Sequence, residues 1–455
     1  MTAPFKSRAQ IEALAVWLLE QCKAAGASDA DILYSCGTSH ELSLRDGEPE
    51  ESTSGSFSAL GVRTLFSDGR QGIAYGNRLD RDSLAGLVRW SLHNCKHSEP
   101  EEGISLYRGG ACAPHPDLHL YDPAVLAITP LARMEHCQEM TSIAKKEDDR
   151  VVSVRSASWS DGWGESLYAT SAGFLGWRDG TSASCNVTVV FQDGETTEMG
   201  GYGQQDRSLT VLTPTLCARK AVKRTSDIFG GKPIPTGRYT VLFDPETTSS
   251  LIDEIAELFC ASDVHRGHSM LAGRLGTSVA SSAFSLVDDG TLPGRMGTSP
   301  FDAEGVPTLR TVLVDKGVAR SYLYNLQYAQ KDGVVSTGNA SRGMSSLPDV
   351  GTSNLILEPG NSSQEALIRS VQSGFLVTEL MGLHTLDPVS GDFSLGAKGI
   401  EIRKGGLSRP VSGVTIAGNL LELLNKVIAV GNDFEFFGST GACTLVVDDI
   451  AVAGQ

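Results

Sequence analysis

Seven Asp-Gly pairs, beginning at residues 46, 68, 161, 179, 193, 289 and 332, constrain the fold of this 455-residue chain more than any other feature. A type I′ hairpin turn needs positive φ at both central residues, which Asp and Gly tolerate and β-branched residues do not. Their recurrence predicts an antiparallel meander, and hence an α+β fold of largely antiparallel sheets with flanking helices rather than a doubly wound parallel sheet. The flanking residues agree: Asp31 to Ser35 and Val62 to Phe66 read as strands, and Ser67-Asp68-Gly69 joins the second to a segment ending at Tyr75.

Helices punctuate the strands. Ile11, Leu14, Ala15, Leu18 and Leu19 recur at helical spacing within Arg8 to Ala25, and Leu84, Leu87, Val88 and Leu92 do so within Asp82 to Cys95. Thr129-Pro130, Thr213-Pro214 and Asp244-Pro245 each place a capping residue before a proline, the signature of a helix start. Ser362-Ser-Gln-Glu365 and Asn419-Leu-Leu-Glu422 predict two more helices, the latter running into Val427 and Ile428. The acidic stretch Ser98 to Gly103 and the breaker-rich stretch Gly230 to Gly237 divide the chain into an N-terminal domain over 1–110, a central β-rich domain over 111–230 and a C-terminal β-rich domain over 231–455.

A formal net charge of -16 argues against nucleic acid as a partner, since such binding rests on Lys and Arg neutralising phosphates. Nine cysteines without a C-x-x-C pair indicate neither a disulfide framework nor a zinc ribbon and suit a reducing compartment. The apolar run from Leu14 to Leu19 is too short for a signal core or a membrane span, so a cytoplasmic protein is expected.

The residues alone name no catalytic constellation. H-E-x-x-H, H-E-x-x-x-H, G-x-S-x-G and phosphate-loop patterns are all absent. His93, Cys95 and His97 alternate in a way that suits metal ligation only if the segment is extended; at a helix end they are ordinary polar residues facing terminal carbonyls. His265 and His268, with Asp253, Glu254 and Glu257 on the preceding helix, make a conceivable metal set, although Gly267 suggests a mobile loop and the carboxylates a solvated face. Cys443 reads as a small buried thiol and the basic helix Arg219 to Arg224 as a solvated face.

The C-terminal third nevertheless resembles the TldD/PmbA peptidase family. The resemblance is carried by Ser299-Pro-Phe-Asp-Ala-Glu-Gly-Val306, Ser336-Thr-Gly338, Leu376-Val-Thr-Glu-Leu-Met-Gly382, Ser390-Gly-Asp-Phe-Ser394, Thr415-Ile-Ala-Gly-Asn419 and Val430-Gly-Asn-Asp433. Weaker similarity extends over Gly26 to Ala30 and Gly61-Val62, so it spans essentially the whole chain. In that family the TldD half binds zinc through H-E-x-x-x-H and a later cysteine and cleaves peptides, with the glutamate as base to a zinc-bound water. The matching positions here are Ile252, Asp253 and Glu257. Ile252 offers no lone pair and Cys443 is no obvious substitute for the zinc cysteine.

The resemblance therefore implies the PmbA/TldE half: a subunit without its own zinc, paired with a zinc-bearing TldD-type subunit or with itself, acting on peptides or unfolded segments in the cytoplasm. The older family label, modulator of DNA gyrase, implies an indirect effect. Asp302, Glu304, Asn339, Glu379, Asp392 and Ser394 are the positions expected to face peptide or partner. Two alternatives stay open: a metal-dependent hydrolase built on His265, His268 and Glu257, and a homodimeric binding or regulatory protein.

Overall fold

The computed structural model describes residues 5–113 and 115–454. Its amino-terminal half is organised by one six-stranded antiparallel sheet in the order Gln71–Gly76, Glu48–Leu65, Asp29–Arg45, Val151–Thr170, Leu175–Asp193 and Thr196–Asp206. The four central strands run 17 to 20 residues, or about 55–65 Å at the rise of an extended chain. That length lets one sheet carry two cores. At one end, helices Arg8–Ala24 and Arg81–His97 bury Ile11, Leu18, Leu84 and Val88 against Ile32, Val62 and Leu167. At the other, helices Pro130–Glu147 and Pro214–Ile228 bury Cys137, Met140, Ala218 and Val222 against Trp159, Val187 and Phe191. Strand Asp29–Arg45 pairs with Val151–Thr170 from Asp31↔Thr170 to Leu44↔Ala157, so the boundary expected near residue 110 falls in a connection between strands of one sheet.

The Asp-Gly pairs served the fold class well and individual turns less evenly. Asp46 and Gly47 have φ of 52° and 94° and link their strands by the expected two-residue turn. Asp161-Gly162 and Asp179-Gly180 instead lie inside strands. Asp161 is there because it takes a bidentate pair from Arg133 at 2.6 and 2.8 Å, and Gly162 because a Cβ would sit 2.6 Å from the Thr38 carbonyl oxygen. Gly333, with φ 67°, closes helix Leu326–Asp332 rather than a hairpin.

The carboxyl-terminal half holds two six-stranded mixed sheets. One runs Gly406–Asn419, Asp392–Arg403, Ser373–Met381, Gly237–Phe243, Leu445–Ala453, Val427–Val430, and closes on itself where Thr415 pairs with Ala453. Val427 and Ile428, expected to extend the helix that Asn419 caps, lie in its last strand, because helix Leu420–Asn425 ends there. The other sheet is built from short strands, among them Leu286–Asp289, Leu355–Leu357 and Thr440–Ala442. Helix Pro245–Glu257 is capped by Asp244, whose Oδ1 accepts the Thr247 N–H at 2.9 Å, and buries Leu251, Ile252, Ile255 and Ala256 in the core formed with these sheets. Among the described residues no helix is long and apolar enough to cross a membrane.

A buried charge cluster joins the two halves. Asp31 of the long sheet accepts from Arg63 Nε and from Arg342, which lies 311 residues away, at 2.6 Å each, and all three side chains are essentially inaccessible. Burial would raise the Asp31 carboxyl, but the two guanidiniums outweigh it and hold it below its usual value. Asp31→Ala leaves two buried cations uncompensated, so denaturant unfolding is expected to show a loss of about 3–5 kcal/mol; a loss no larger than that of Asp29→Ala, half-buried nearby, would show the cluster does not join the halves.

Candidate functional site

Helix Pro245–Glu257 carries the positions at which the family resemblance expects zinc ligands, and its packing decides what each can do. Ile252 is fully buried in the core. The next residue, Asp253, accepts a short hydrogen bond from the Thr440 hydroxyl. Burial raises the carboxyls of Asp253, Glu254 and Glu257, and the last two are raised further by neighbouring carboxylates. Cys443 is fully buried and its thiol is pushed up to about 12 by burial and by Asp433. One aliphatic side chain, two partly shielded carboxylates and an inert thiol do not fit a tetrahedral N/N/S zinc site.

The other candidate ligands are also dispersed. His265 lies in helix Ala261–Arg266, not in a mobile loop, and its Nε2 is 2.7 Å from Asp332 Oδ1, whose other oxygen takes the Tyr324 hydroxyl at 3.0 Å. His268 donates its backbone N–H to the Asp263 carbonyl. His93 and His97 sit one turn apart on a helix that extends to residue 97, while Cys95 turns inward to the Arg70 carbonyl. Among the described residues no three His, Cys, Asp or Glu side chains converge on a metal position.

At the amino-terminal end of the same helix a cleft of about 340 Å³ opens between the two halves, lined by Gly200, Arg224, Glu246, Thr247, Thr378 and Glu379. Its walls are ion-paired across the halves. Arg224 bridges Asp244 and Glu246, the latter at 2.9 Å, and donates to the Thr378 carbonyl. Burial raises the Glu246 carboxyl against the pull of Arg224. Lys398 reaches Glu198 of the amino-terminal sheet at 3.0 Å and Glu379 at 3.2 Å. Arg224, read from sequence as part of a solvated basic face, is thus a wall of the cleft; only its neighbours Arg219 and Lys223 are exposed.

Two incomplete strand edges border this cleft. Thr196–Asp206 is the last strand of its sheet, paired among the described residues only with Leu175–Asp193. Strand Ser373–Met381 loses its parallel neighbour after Val377, so on that side Thr378 to Met381 have no strand partner among the described residues. Unpaired strand edges can accept an extended peptide through main-chain hydrogen bonds.

The six positions expected to face peptide or partner separate. Glu379 lines the cleft. Asp392 and Ser394 are exposed at the start of strand Asp392–Arg403, Asp392 taking the Asn419 amide at 3.0 Å. Asp302, Glu304 and Asn339 are 3–5% exposed; Glu304 feels Arg63 and Asp302 feels Arg178 across the joint between the halves, while Asn339 is held within the carboxyl-terminal half. Asp302 accepts three backbone N–H groups, from Glu304, Val306 and Ala340, and Asn339 donates to Asp288 at 2.8 Å. Burial lifts Asp302 and Asp288 to about 6 and Glu304 to about 7, although Arg63 pulls the last one down. What sequence reasoning missed was Asp31, Arg63, Arg342, Arg224 and Lys398; a charged residue interrupting an apolar strand, as Asp31 does, was the one available signal.

Glu304 holds its proton more tightly in the folded chain than at its ordinary value of 4.5. Its contribution is therefore complete below that value and is lost as pH rises through about 7. Glu304→Gln keeps an acceptor for the Leu326 N–H but cannot ionise. Urea midpoints of the variant are expected to gain on the parent between pH 4.5 and 7; a gap independent of pH would contradict the assignment.

Comparison with known proteins bears on the whole chain. The PmbA/TldA metallopeptidase domain 1 profile matches residues 30–95, the central-domain profile residues 124–227 and the C-terminal-domain profile residues 236–454. Metalloprotease PmbA of Escherichia coli is 26% identical over 435 residues, covering 95% of this chain and 94% of that protein. A metalloprotease TldD homolog of Haemophilus influenzae is 27% identical over 459 residues, covering 93% and 92%. A Thermotoga maritima structure, described as a candidate modulator of DNA gyrase, superposes with a TM-score of 0.87 at 26% identity, covering 97% of this chain and all of that one. TldE from Thermococcus kodakarensis shares the fold, with a TM-score of 0.87 at 22% identity over 98% of this chain and all of that one.

Proposed function

Because the chain belongs to the PmbA/TldD metallopeptidase family, we propose that it is the TldE-like subunit of a two-part peptidase, supplying peptide-binding surface rather than the hydrolytic zinc. The carrying observation is the fate of helix Pro245–Glu257, where Ile252 is locked in the core and Asp253 is engaged by Thr440. A TldD-type partner would bring the zinc, whose chemistry is to activate water for amide hydrolysis. This chain's own residues would hold substrate: the unpaired edges of Thr196–Asp206 and Thr378 to Met381 align an extended segment, and Arg224, Glu246, Glu379 and Lys398 fix the width of the cleft between them.

Main-chain recognition is tolerant of sequence, which suits unfolded segments or peptide precursors. Nine free cysteines and the acidic surface fit a reducing, cytoplasmic setting and no role at DNA. If no zinc-bearing relative is encoded beside it, a homodimer using the same clefts is the form the reading takes.

The test is reconstitution with an H-E-x-x-x-H relative from the same genome. Cleavage of an unfolded substrate is expected to need both chains and to fall at least about tenfold with Arg224→Ala, while co-purification persists. Equal activity of the relative alone would refute the proposal.

A further inference from the structure

Remote from that cleft, a second cavity of about 510 Å³ is lined by Cys112, His115, His119, Tyr121, Trp177 and Arg178. Eight of the nine cysteines are buried; Cys112 is the one that is not. Its backbone N–H donates to the Leu175 carbonyl at 2.8 Å, which fixes it beside the long sheet, and its Sγ lies 3.3 Å from His115 Nε2. His115 is exposed, so the imidazole can exchange its proton with water.

The same cavity also supplies positive charge. The Arg178 guanidinium donates only to the hydroxyls of Ser166, at 3.0 Å, and Ser299, at 3.5 Å, and among the described residues it forms no salt bridge. The nearest acidic groups are otherwise engaged: Arg8 holds both Glu165, at 3.0 Å, and Asp179, at 2.8 Å, and Asp302 is saturated by backbone N–H groups. A guanidinium facing a cavity without a carboxylate partner favours an anionic guest.

We propose that Cys112 and His115 form a thiol-exchange site for a small disulfide bearing a carboxylate, with Arg178 receiving that carboxylate. Burial raises the Cys112 thiol, so the thiolate arises by proton transfer to His115 rather than unaided. The Cys112 sulfur then attacks one sulfur of the incoming disulfide. The old S–S bond breaks, a mixed disulfide forms on Cys112, and the departing thiolate takes the proton back from His115. No oxidant beyond the incoming disulfide is consumed.

Dithiobis-nitrobenzoate, an anionic aromatic disulfide, is the probe. The native full chain is expected to release one equivalent of thiolate in a fast phase, with the adduct mapped to Cys112, and Cys112→Ser to lose that phase. His115→Gln should slow it by about tenfold or more at neutral pH, with the difference closing at alkaline pH, where the thiol ionises without help. A neutral pyridyl disulfide should react more slowly than the anionic one at low salt, and the gap should shrink as salt screens Arg178. Labelling of another cysteine, a fast phase surviving in Cys112→Ser, or a His115→Gln rate matching the parent at every pH would overturn the pair; equal rates for the two disulfides would overturn the carboxylate-bearing class.

Discussion

The architecture depends on one carboxylate shared between two arginines. Asp31 stands at the start of the first long strand, Arg63 on the strand beside it and Arg342 in a loop of the other half of the molecule. Buried pairs of this kind add little to net stability, because desolvation offsets much of their attraction. Their effect is to make alternatives expensive: with Asp31 unmet, two guanidiniums would sit in the interior without a counter-charge. The docking of the amino-terminal sheet on the carboxyl-terminal half is therefore set to one register, and the buried carboxyls of Glu304 and Asp302 lie beside Arg63 and Arg178 in the same joint. The cleft lies across the same two halves, and beside it Lys398 ties Glu379, which lines it, to Glu198 of the amino-terminal sheet. Its width follows from how the halves dock.

Much of the fold was legible because its signals are local. Helix starts at Pro130 and Pro245 follow from a capping residue and a proline whose missing N–H costs nothing there, and at Pro214 from the proline alone, since the Thr213 side chain makes no cap hydrogen bond. The antiparallel class followed from turn chemistry. Asp161-Gly162 shows the limit: the dipeptide permits a turn without requiring one, and the bidentate Arg133 pair with the close Thr38 carbonyl explains its place mid-strand. The 20-residue reach of Val151–Thr170 was not legible, since the strand pairs on one side with the neighbouring Leu175–Asp193 along nearly its whole length and on the other with Asp31 to Leu44, more than 100 residues away.

The candidate site was legible only in part, for the same reason. Ile252, Asp253 and Glu257 could be placed because they follow one another on a single helix. Arg224 and Lys398 could not, because each acquires its role from a carboxylate on a distant element: Asp244 and Glu246 for Arg224, Glu198 for Lys398. Asp302 and Glu304 lie in a segment that carries the family resemblance and are buried beside Arg178 and Arg63 of the other half, so such a polar residue marks the docking of the halves as readily as contact with a ligand. Glu379 is the one of the six that lines the cleft.

The central claim is chemical: a helix that presents Ile252 to the core and carboxylates to its other face cannot hold a hydrolytic zinc ion. Zinc content of the purified full chain after growth with added zinc, measured by elemental mass spectrometry, tests it most directly. The expected result is zinc at background, unchanged in Glu257→Gln. Stoichiometric zinc that disappears in Glu257→Gln would contradict it.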